Sequence, residues 1–379
     1  MTDLLRCALP KEPNPQLATA SRKPWIVEQA LLGLKEARRM PSHATPHLAR
    51  WFRKNRKLGS RDRKIVGEII HGIIRHEALL LRVGARSPTE LVERWADMMD
   101  GDRFESTASS SAAEDYATAL NVPGDVAREW LNVLGVEEAA AYAQAISHRP
   151  PMQIRANLLR TDRETLASAL LAENIETVAV EGVDTALTLK GRANLLGTNA
   201  FKKGLFEVQD ASSQRFCNAI PIKPGQRVLD LCAGAGGKSL ALAARGARVS
   251  AYDIRDNALQ ELVERATRAK AAIAIDTPEP APIVVVDAPC SGSGRLRRNP
   301  ALRWGLTDAT HLEAQRELID AGASLVQPGG LLAYATCSIL MRENQHAPSG
   351  NEWTRIEEQT LWPHRDETDG FFWALWRRD

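Results

Sequence analysis

Hydrophobic residues recur at helical spacing through the first 150 residues of the chain. One such face is formed by Ile26, Ala30, Leu31 and Leu34. Another carries five isoleucines between positions 65 and 74, and a third helical stretch covers 126–146. This period is typical of helices with one buried side. We therefore predict an all-helical first domain over residues 1–145, with a loose lead-in at 1–23 and a flexible, Ser- and acid-rich loop between Asp100 and Asp115.

The pattern changes after Pro150 and Pro151, because paired prolines break helices and favour extended chain. Residues 154–158 fit a strand, 161–172 fit a helix capped by Thr161 or Asp162, and 175–190 alternate as strands do. These elements predict a small α+β domain over residues 146–220.

From Gln226 onward, short apolar runs alternate with amphipathic stretches. Strands are predicted at 227–232, 247–252, 283–287 and 331–335, and helices at 238–245, 256–272 and 308–326. The β-branched run Ile283–Asp287 is typical of a strand buried on both faces. Strand–helix alternation of this kind predicts a doubly wound α/β domain over residues 221–379.

Composition is that of a globular protein: 44% of the 379 residues are hydrophobic and 25% are charged. The net charge of +2 conceals two opposed blocks. Residues 22–82 carry 15 Lys or Arg against 5 Asp or Glu, a net of +10, whereas residues 83–145 carry 4 against 12, a net of −8. The basic block predicts contact with a polyanion such as RNA, and the alternative is an ordinary solvated basic face.

The five cysteines are scattered and form no CxxC pair, which argues against a disulfide framework or a zinc site. Cys7 and Cys217 are interpreted as small buried hydrophobes. The eight histidines lack metal-ligand spacing, and no apolar run approaches the ~18 residues of a membrane span. The N-terminus lacks the apolar core of a secretory signal. We expect a cytoplasmic monomer without metal or membrane attachment.

A glycine-rich turn links the first strand of the α/β domain to its first helix. Gly234, Gly236 and Gly237 permit close backbone approach to a ligand. Asp253 follows the second strand, where an acid can accept hydrogen bonds from ribose hydroxyls. The spacing is not GxGxxG, so a turn without a ligand is the plain alternative. The favoured interpretation is an adenosine-type cofactor, with Asp276 after a short third strand serving its adenine.

Two cysteines follow neighbouring predicted strands: Cys290 in Asp287-Ala-Pro-Cys, and Cys337 in Ala335-Thr-Cys-Ser. Ligands of open α/β sheets bind outside the carboxyl ends of the strands, so both thiols are predicted to face the ligand crevice.

Six segments in order carry a resemblance to a known family. They are 204–214 (GLFEVQDASSQ), 229–239 (LDLCAGAGGKS), 287–292 (DAPCSG), 298–304 (RNPALRW), 328–338 (PGGLLAYATCS) and 369–374 (DGFFWA). From about residue 122 to 378 the chain resembles the Sun-type family of RNA cytosine-C5 methyltransferases, in particular the bacterial 16S ribosomal RNA enzymes. More weakly, 60–75 (SRDRKIVGEIIHGIIR) resembles the helical NusB-like domain attached to some members, a domain type associated with RNA binding.

The resemblance implies a Rossmann-like, S-adenosylmethionine-dependent catalytic sheet. It implies Cys337 as the nucleophile and Cys290 as the thiol that assists product release, with Asp287 as the acid near N3 of the base. The implied cofactor contacts are Cys232, Ala233, Gly234, Ala235, Gly236, Gly237, Lys238, Asp253, Asp276 and Asp287. The stretch between Asp253 and Asp287 is shorter than the family pattern.

Arg297, Arg298, Arg303 and Trp304 follow the Cys290 loop, and these residue types suit phosphate pairing and base stacking. The alternative is a structural loop with Trp304 packed inward.

The favoured hypothesis is methyl transfer to C5 of a cytosine in 16S ribosomal RNA. Two alternatives stay open: an RNA-binding ribosome assembly factor without turnover, and the same chemistry on tRNA. A nicotinamide oxidoreductase is disfavoured, because such an enzyme needs a GxGxxG turn and this sequence has none. DNA is disfavoured because DNA cytosine methyltransferases use the Pro-Cys cysteine as nucleophile, whereas the Thr-Cys-Ser segment points to RNA.

Overall fold

A computed structural model describes residues 5–6, 8–9, 13–39, 44–102 and 111–379. Their contacts form two compact units, the first within residues 1–150 and 291–309, and the second within 151–290 and 310–379. The first division falls between Pro150 and Pro151, at the paired prolines. The grouping otherwise differs from the three predicted segments, because the middle block joins the large sheet and residues 291–309 join the helices.

The first unit contains seven helices among its described residues: α1 (Pro15–Ser21), α2 (Pro24–Arg39), α3 (Ala44–Lys54), α4 (Ser60–Arg82), α5 (Pro88–Asp100), α6 (Ala112–Leu120) and α7 (Gly124–Ile146). The all-helical prediction is confirmed. The predicted lead-in is wrong in part, because Asn14 caps α1 by accepting a hydrogen bond from the Leu17 amide.

The predicted loop between Asp100 and Asp115 is also wrong at both ends. Asp100 closes α5, and α6 begins at Ala112 behind a capping box in which Ser111 and Glu114 bond each other's backbone amides. Residues 103–110 and Cys7 lie outside the described residues.

Helix α4 is the centre of the first unit. Its buried face includes Val66, Ile69, Ile70 and Ile73, as the isoleucine spacing predicted. On the same helix, Gly72 lets Trp95 of α5 approach so closely that a Cβ there would lie 2.1 Å from the indole nitrogen. The unit is therefore held by a tightly packed apolar face.

Residues 291–309 are fixed within the first unit by buried arginines. Arg303 donates from Nε to the carbonyl of Leu120 at 2.7 Å, and Arg75 on α4 donates to the carbonyl of Arg297 at 2.9 Å. Two short 3₁₀ turns, Ser293–Arg295 and Pro300–Gly305, complete the segment.

The second unit contains a four-stranded antiparallel sheet in the order β2-β3-β1-β4. Its strands are β1 (Gln153–Ala156), β2 (Thr177–Ala179), β3 (Ala186–Leu189) and β4 (Phe206–Val208). Helices α8 (Arg163–Leu171) and α9 (Asn199–Lys202) accompany it, with Asp162 as the side-chain cap of α8. The predicted α+β block is confirmed.

A seven-stranded sheet follows, in the order β10-β11-β9-β8-β5-β6-β7. Its strands are β5 (Arg227–Asp230), β6 (Arg248–Ala251), β7 (Ile273–Ile275), β8 (Ala281–Asp287), β9 (Val326–Thr336), β10 (Trp353–Leu361) and β11 (Phe371–Arg378). Its helices are α10 (Ala211–Ala219), α11 (Gly237–Ala244), α12 (Asp256–Ala269), α13 (Thr310–Ser324), α14 (Met341–Asn344) and α15 (Pro363–Asp366). Strands β5 to β9 are parallel, whereas β11 runs antiparallel to β9 and β10 antiparallel to β11.

Strand β8 is covered on both faces, as its β-branched run predicted. Ile283 and Val285 pack in one apolar cluster with Phe216 of α10, whereas Val284 and Val286 pack in another with Ile319 of α13. Successive side chains of a strand point to opposite faces, so helices lie on both sides of the sheet. The doubly wound prediction is confirmed.

The order of the parallel strands reverses between β5 and β8. From β5 the chain builds β6 and β7 on one side, then returns to lay β8 against the other side of β5. The carboxyl ends of β5 and β8 therefore flank the crevice in which open α/β sheets bind ligands. The return from β7 takes only residues 276–280, where a crossover normally needs a dozen or more residues.

Gly204 tests how closely the small sheet packs on α12. Its φ is +67°, and an added Cβ would lie 2.0 Å from the carbonyl oxygen of Arg268. Gly182 is a matched control, because its φ is +70° but a Cβ there meets nothing within 4 Å. We expect Gly182→Ala to cost about 1 kcal/mol of unfolding free energy, and Gly204→Ala about 3 kcal/mol, as measured by denaturant unfolding. Equal losses would contradict the close approach.

Candidate active site

The glycine turn between β5 and α11 has two positions with a left-handed backbone, and one of them has no room for a side chain. Gly234 and Gly236 have φ values of +54° and +81°, and a Cβ on Gly236 would lie 2.5 Å from Leu262 of α12. Glycine is required there for the backbone conformation, and at Gly236 for space as well. The turn thus presents bare backbone toward the crevice.

Asp253 lies directly after β6 and beside this turn, as predicted. Its Oδ2 accepts from the Gly234 amide at 2.8 Å, and both of its oxygens accept from the Arg255 side chain at 2.9 and 3.0 Å. Burial alone would raise the pKa of Asp253, but these hydrogen bonds outweigh it and hold the pKa below its usual value. Asp253 is therefore an ionised carboxylate that already fixes one peptide of the turn.

Asp230 ends β5 beneath the turn and is fully buried. Its Oδ2 accepts a hydrogen bond from the Ser239 hydroxyl at 2.5 Å, whereas its Oδ1 has no hydrogen-bond partner among the described residues. Burial raises the pKa of this carboxyl to about 6. Buried polar atoms normally have a hydrogen-bond partner, so this oxygen retains the capacity to accept one more hydrogen bond.

Lys238 and Asp287 connect the two strands on either side of the crevice. The Lys238 ammonium, at the start of α11, donates to Asp287 Oδ2 at the end of β8 at 2.5 Å. It also lies 5.2 Å from the ring centre of Phe371. Burial lowers the pKa of Lys238, but the ion pair more than offsets this and leaves the pKa raised. Lys238 is therefore a charged group that holds the Asp287 carboxylate in place.

The two predicted thiols meet at the carboxyl ends of β8 and β9. Cys290 Sγ and Cys337 Sγ are 3.4 Å apart, well beyond the ~2.05 Å of a disulfide bond. Neither cysteine forms a disulfide, and both are half-buried. The adjacency expected from neighbouring parallel strands is therefore present, and it brings two thiols together at the carboxyl edge of the sheet.

The residues around Cys337 form a rigid turn. Thr336 Oγ1 donates to the side-chain oxygen of Asn344 at 2.8 Å, and the Asn344 amide group donates to the carbonyl of Ser338 at 3.0 Å. The Ser338 hydroxyl in turn accepts from the Leu340 amide at 3.1 Å. The two residues that flank the thiol are thus anchored to the helix that follows it.

Two further thiols, those of Cys217 and Cys232, are in surroundings that keep them neutral. Burial raises the pKa of Cys217 to about 11, and burial with three nearby carboxylates raises the pKa of Cys232 further. Cys217 is the buried hydrophobe that we predicted. Cys232 remains in the turn as a protonated thiol, which suits packing against a ligand rather than nucleophilic attack.

The other predicted site residues are placed less favourably. Asp276 follows β7 and is exposed, and it shares a cavity with residues 227–229 of β5 rather than with the glycine turn. Arg303 is buried, and its guanidinium donates to three carbonyls in the first unit, those of Leu120, Leu296 and Pro300. Burial also lowers the pKa of Arg303 to about 9. The prediction that Arg303 contacts RNA is thus not supported by its geometry.

Arg297 is also buried, whereas Arg298 and Trp304 are half-buried. Sequence reasoning missed Asp230 and Asn344. A charged residue at the end of an otherwise apolar strand was the available signal for Asp230. No signal in the sequence pointed to Asn344, because its role depends on the chain turning back so that its side chain contacts Thr336 and Ser338.

The residues present fit an adenosine-type cofactor with a cationic end. The turn supplies bare backbone, Asp253 supplies carboxylate acceptors, and the unsatisfied Oδ1 of Asp230 supplies a buried acceptor. Among the described residues there is no cluster of three or more His, Cys, Asp or Glu suited to a metal ion. No helix among them has the length and apolarity to span a membrane.

Two segments match known protein families. Residues 218–349 match the 16S rRNA methyltransferase RsmB/F family, and residues 123–195 match the ferredoxin-like domain of the RsmF/B-like methyltransferases. These matches confirm the predicted resemblance over the helical stretch 126–146, three of the four strands of the small sheet and five of the seven strands of the large sheet.

Curated relatives agree with the family matches. A probable ribosomal RNA small subunit methyltransferase B from Synechocystis is 32% identical over 65% of this chain and 65% of its own length. The enzyme of that name from Pectobacterium atrosepticum is 30% identical over 61% and 60%. The chain thus spans less than two thirds of these relatives. A Bacillus subtilis relative is 27% identical over 94% of this chain and 83% of its own.

Solved structures share the fold. The crystal structure of PH0851 superposes with a TM-score of 0.73 at 23% identity, covering 92% of this chain and 98% of that protein. A methyltransferase homologue from Pyrococcus horikoshii gives 0.61 at 24% identity, covering 72% and 100%. The large sheet is a Rossmann-like methyltransferase fold.

The raised pKa of Asp230 predicts a pH-dependent difference in stability. A carboxyl with a folded-state pKa of about 6 and an unfolded value near 3.8 stabilises the fold below about pH 4, and this contribution is lost as the pH rises through 6. Asp230→Asn removes the titration. We compare the unfolding free energy of the variant with that of the wild type at each pH, measured by urea unfolding. The difference, variant minus wild type, is expected to be about 3 kcal/mol more positive at pH 7 than at pH 4. A constant difference would contradict the shift.

Proposed function

We propose that this chain, whose residues 218–349 match the 16S rRNA methyltransferase RsmB/F family, methylates C5 of a cytosine in RNA, with 16S ribosomal RNA as its substrate. The observation that carries the proposal is the pair of thiols, Cys290 and Cys337, which form no disulfide and lie 3.4 Å apart at the carboxyl edge of the sheet that carries the glycine turn. Methyl transfer to a nitrogen or oxygen atom needs no catalytic thiol, whereas methyl transfer to C5 of cytosine needs one to activate the ring.

C5 of cytosine is too weak a nucleophile to take a methyl group unaided. In the proposed reaction the Cys337 thiol gives up its proton and its sulfur forms a bond to C6, which turns the ring into an enamine and makes C5 nucleophilic. The proton is placed on N3 of the adduct, where the Asp287 carboxylate, fixed by Lys238, accepts a hydrogen bond from it. After C5 has taken the methyl group, Cys290 assists removal of the C5 proton. The C5–C6 double bond then re-forms, the bond between C6 and the Cys337 sulfur breaks, and the N3 proton returns to the thiolate.

The division of labour between the thiols rests on the family resemblance, since the sulfur–sulfur distance is symmetric. The hydrogen bonds of Thr336, Ser338 and Asn344 support Cys337 as the attacking thiol, because a nucleophile benefits from a fixed approach. For such attack the target base must be single-stranded or turned out of its stack.

S-adenosylmethionine is the proposed cofactor, and when bound it supplies the electrophilic methyl group. The proposed contacts are the turn from Cys232 to Lys238, with Asp253 and Asp287, whereas Asp276 is not among them because it lies in a separate cavity beside β5. The negative charge of Asp253 and the unsatisfied Oδ1 of Asp230 support a ligand with ribose hydroxyls and a cationic group. One structural relative, NSun6 from Pyrococcus horikoshii, was solved with SFG, a related analogue.

The first unit is proposed to bind RNA through the turn from α3 to α4. Seven exposed basic side chains form this basic surface: Arg50, Arg53, Lys54, Arg56, Lys57, Arg61 and Lys64. None of the seven has an ion-pair partner in the described part of the chain. Attraction between such a surface and phosphates is independent of sequence, so it supplies affinity rather than choice of base. Arg298 and Trp304 remain proposed contacts, whereas Arg297 and Arg303 are omitted because they are buried.

The main competing proposal is an assembly factor without turnover, and tRNA is the competing substrate. Variants of the two thiols test the reaction directly, with purified protein, S-adenosylmethionine and either undermethylated 16S rRNA or tRNA. We expect wild-type protein to methylate the 16S rRNA, located by bisulfite sequencing. Cys337→Ala is expected to lose at least about 10³-fold in rate while binding S-adenosylhomocysteine as the wild type does. Cys290→Ala is expected to accumulate an RNA–protein adduct that survives denaturing electrophoresis.

Full activity of Cys337→Ala would exclude the covalent mechanism. An inactive wild type that still binds 16S rRNA would favour the assembly factor. Methylation of tRNA but not of 16S rRNA would show that tRNA is the substrate.

The basic surface predicts a steep dependence of RNA binding on salt. We expect Arg53→Glu to weaken RNA binding and to reduce the slope of log K against log salt by about 1. The matched control is Arg128→Glu, an exposed arginine on α7 of the same unit, which lies outside the surface. Binding isotherms at several salt concentrations measure both. An equal effect of the control would show net charge, not the surface, to be responsible.

A further inference from the structure

Two carbonyls of the glycine turn are held by side chains from outside the turn. Arg265 of α12 donates from Nη1 to the carbonyl of Ala235 at 2.7 Å, and Gln209 donates from Nε2 to the carbonyl of Gly237 at 3.2 Å. The Gly236 amide donates to the Ala233 carbonyl at 2.9 Å. The peptide that joins Ala235 to Gly236 is therefore fixed at both its oxygen and its nitrogen.

The orientation of Arg265 is itself fixed by a buried carboxylate. Its Nε and Nη2 both donate to Oε2 of Glu207, at 3.1 and 3.0 Å, and Glu207 is only 3% exposed. The planar guanidinium has its donors in a rigid fork. Because two of them are committed to Glu207, the remaining nitrogen is directed at Ala235.

Glu207 and Gln209 belong to the same short region of the small sheet, two residues apart. Side chains at such spacing on a strand share one face, and here that face lies toward the glycine turn. Gln209 is also held by a buried residue, because its Oε1 accepts a hydrogen bond from Arg155 Nε at 2.6 Å. The small sheet thus supplies two separate anchors for the backbone of one turn.

The need for such anchors follows from the composition of the turn. Its glycines allow close approach to a ligand but leave the free chain with the largest conformational freedom to lose. A buried ion pair is weak evidence for stability, since desolvation can exceed the attraction between the charges. An ion pair that also directs a hydrogen bond at the turn has a positional role that desolvation does not cancel.

We propose that Glu207 and Arg265 are positioning residues that pre-form the glycine turn for the adenosine part of the cofactor. The inference rests on the proposed function, because it takes the turn as the cofactor site. Removing the anchor is expected to weaken cofactor binding and to leave the chemistry at the thiols unchanged once the cofactor is saturating.

Arg268 provides a matched control for Arg265. It donates to the other oxygen of Glu207 at 2.5 Å, is similarly shielded from solvent and stacks 4.1 Å from the ring centre of Phe201, but it has no hydrogen bond to the turn. Arg268→Met and Arg265→Met therefore remove comparable ion pairs from the same carboxylate, and only the second frees the Ala235 carbonyl.

The experiment is calorimetric titration of S-adenosylhomocysteine into full-length wild type and both variants, with methylation kinetics alongside. We expect Arg265→Met to raise the Kd, and the KM for S-adenosylmethionine, about tenfold, the effect of one charge-assisted hydrogen bond. Its kcat is expected to stay within about twofold, and Arg268→Met to change the Kd less than about twofold. Glu207→Gln combined with Arg265→Met should bind no more weakly than Arg265→Met alone.

Equal weakening in Arg265→Met and Arg268→Met would overturn the inference and leave the ion pairs as a structural contact between sheet and helix. So would a fall in kcat without a change in Kd. A wild-type protein that does not bind S-adenosylhomocysteine would overturn the proposed function, and the inference with it. These outcomes are distinct because only the last concerns the wild type.

Discussion

The reversal of strand order between β5 and β8 is the constraint on which the rest of the site depends. The segments that follow these two strands diverge and form a crevice at the carboxyl edge of the sheet, and the ion pair of Lys238 with Asp287 spans that crevice. Removing Asp287 would leave the Lys238 ammonium without its partner in a largely buried site, which typically costs about 3–5 kcal/mol. The pair also links the two halves of the chemistry, because Lys238 begins the helix of the glycine turn and Asp287 begins the segment that carries Cys290.

Local sequence patterns were sufficient to predict those site residues whose position depends only on one strand and the turn that follows it. The glycine turn, Asp253 and both thiols were predicted because each follows an apolar run, and parallel strands bring their carboxyl ends together. The hairpin of β10 and β11 was missed for a physical reason. Strand β10 is an edge strand whose residues from Thr354 to Gln359 are all exposed, so it shows no apolar alternation.

Features that depend on packing between distant segments could not be predicted. The shortened crossover at 276–280 was visible as missing length, but only the fold shows that it places Asp276 beside β5 rather than beside the glycine turn. The anchor formed by Glu207 and Arg265 was likewise hidden. The sequence separation of 58 residues between them carries no periodic signal, and its only trace was an acid between the apolar residues Phe206 and Val208.

Many arginines of the basic block 22–82 are used within the protein, which reduces the positive charge that this block offers to a partner. Within the block of net charge +10, Arg22 pairs with Asp97 and Asp100 and Arg82 with Asp115, all from the acidic block, so the opposed blocks partly neutralise each other. Others, such as Arg63 and Arg75, are committed to backbone carbonyls. A guanidinium with five donors serves internal carbonyls as well as it serves phosphates. The charge that remains for a polyanion is therefore concentrated on the basic surface between α3 and α4, which is a smaller and better defined target than the count of basic residues suggests.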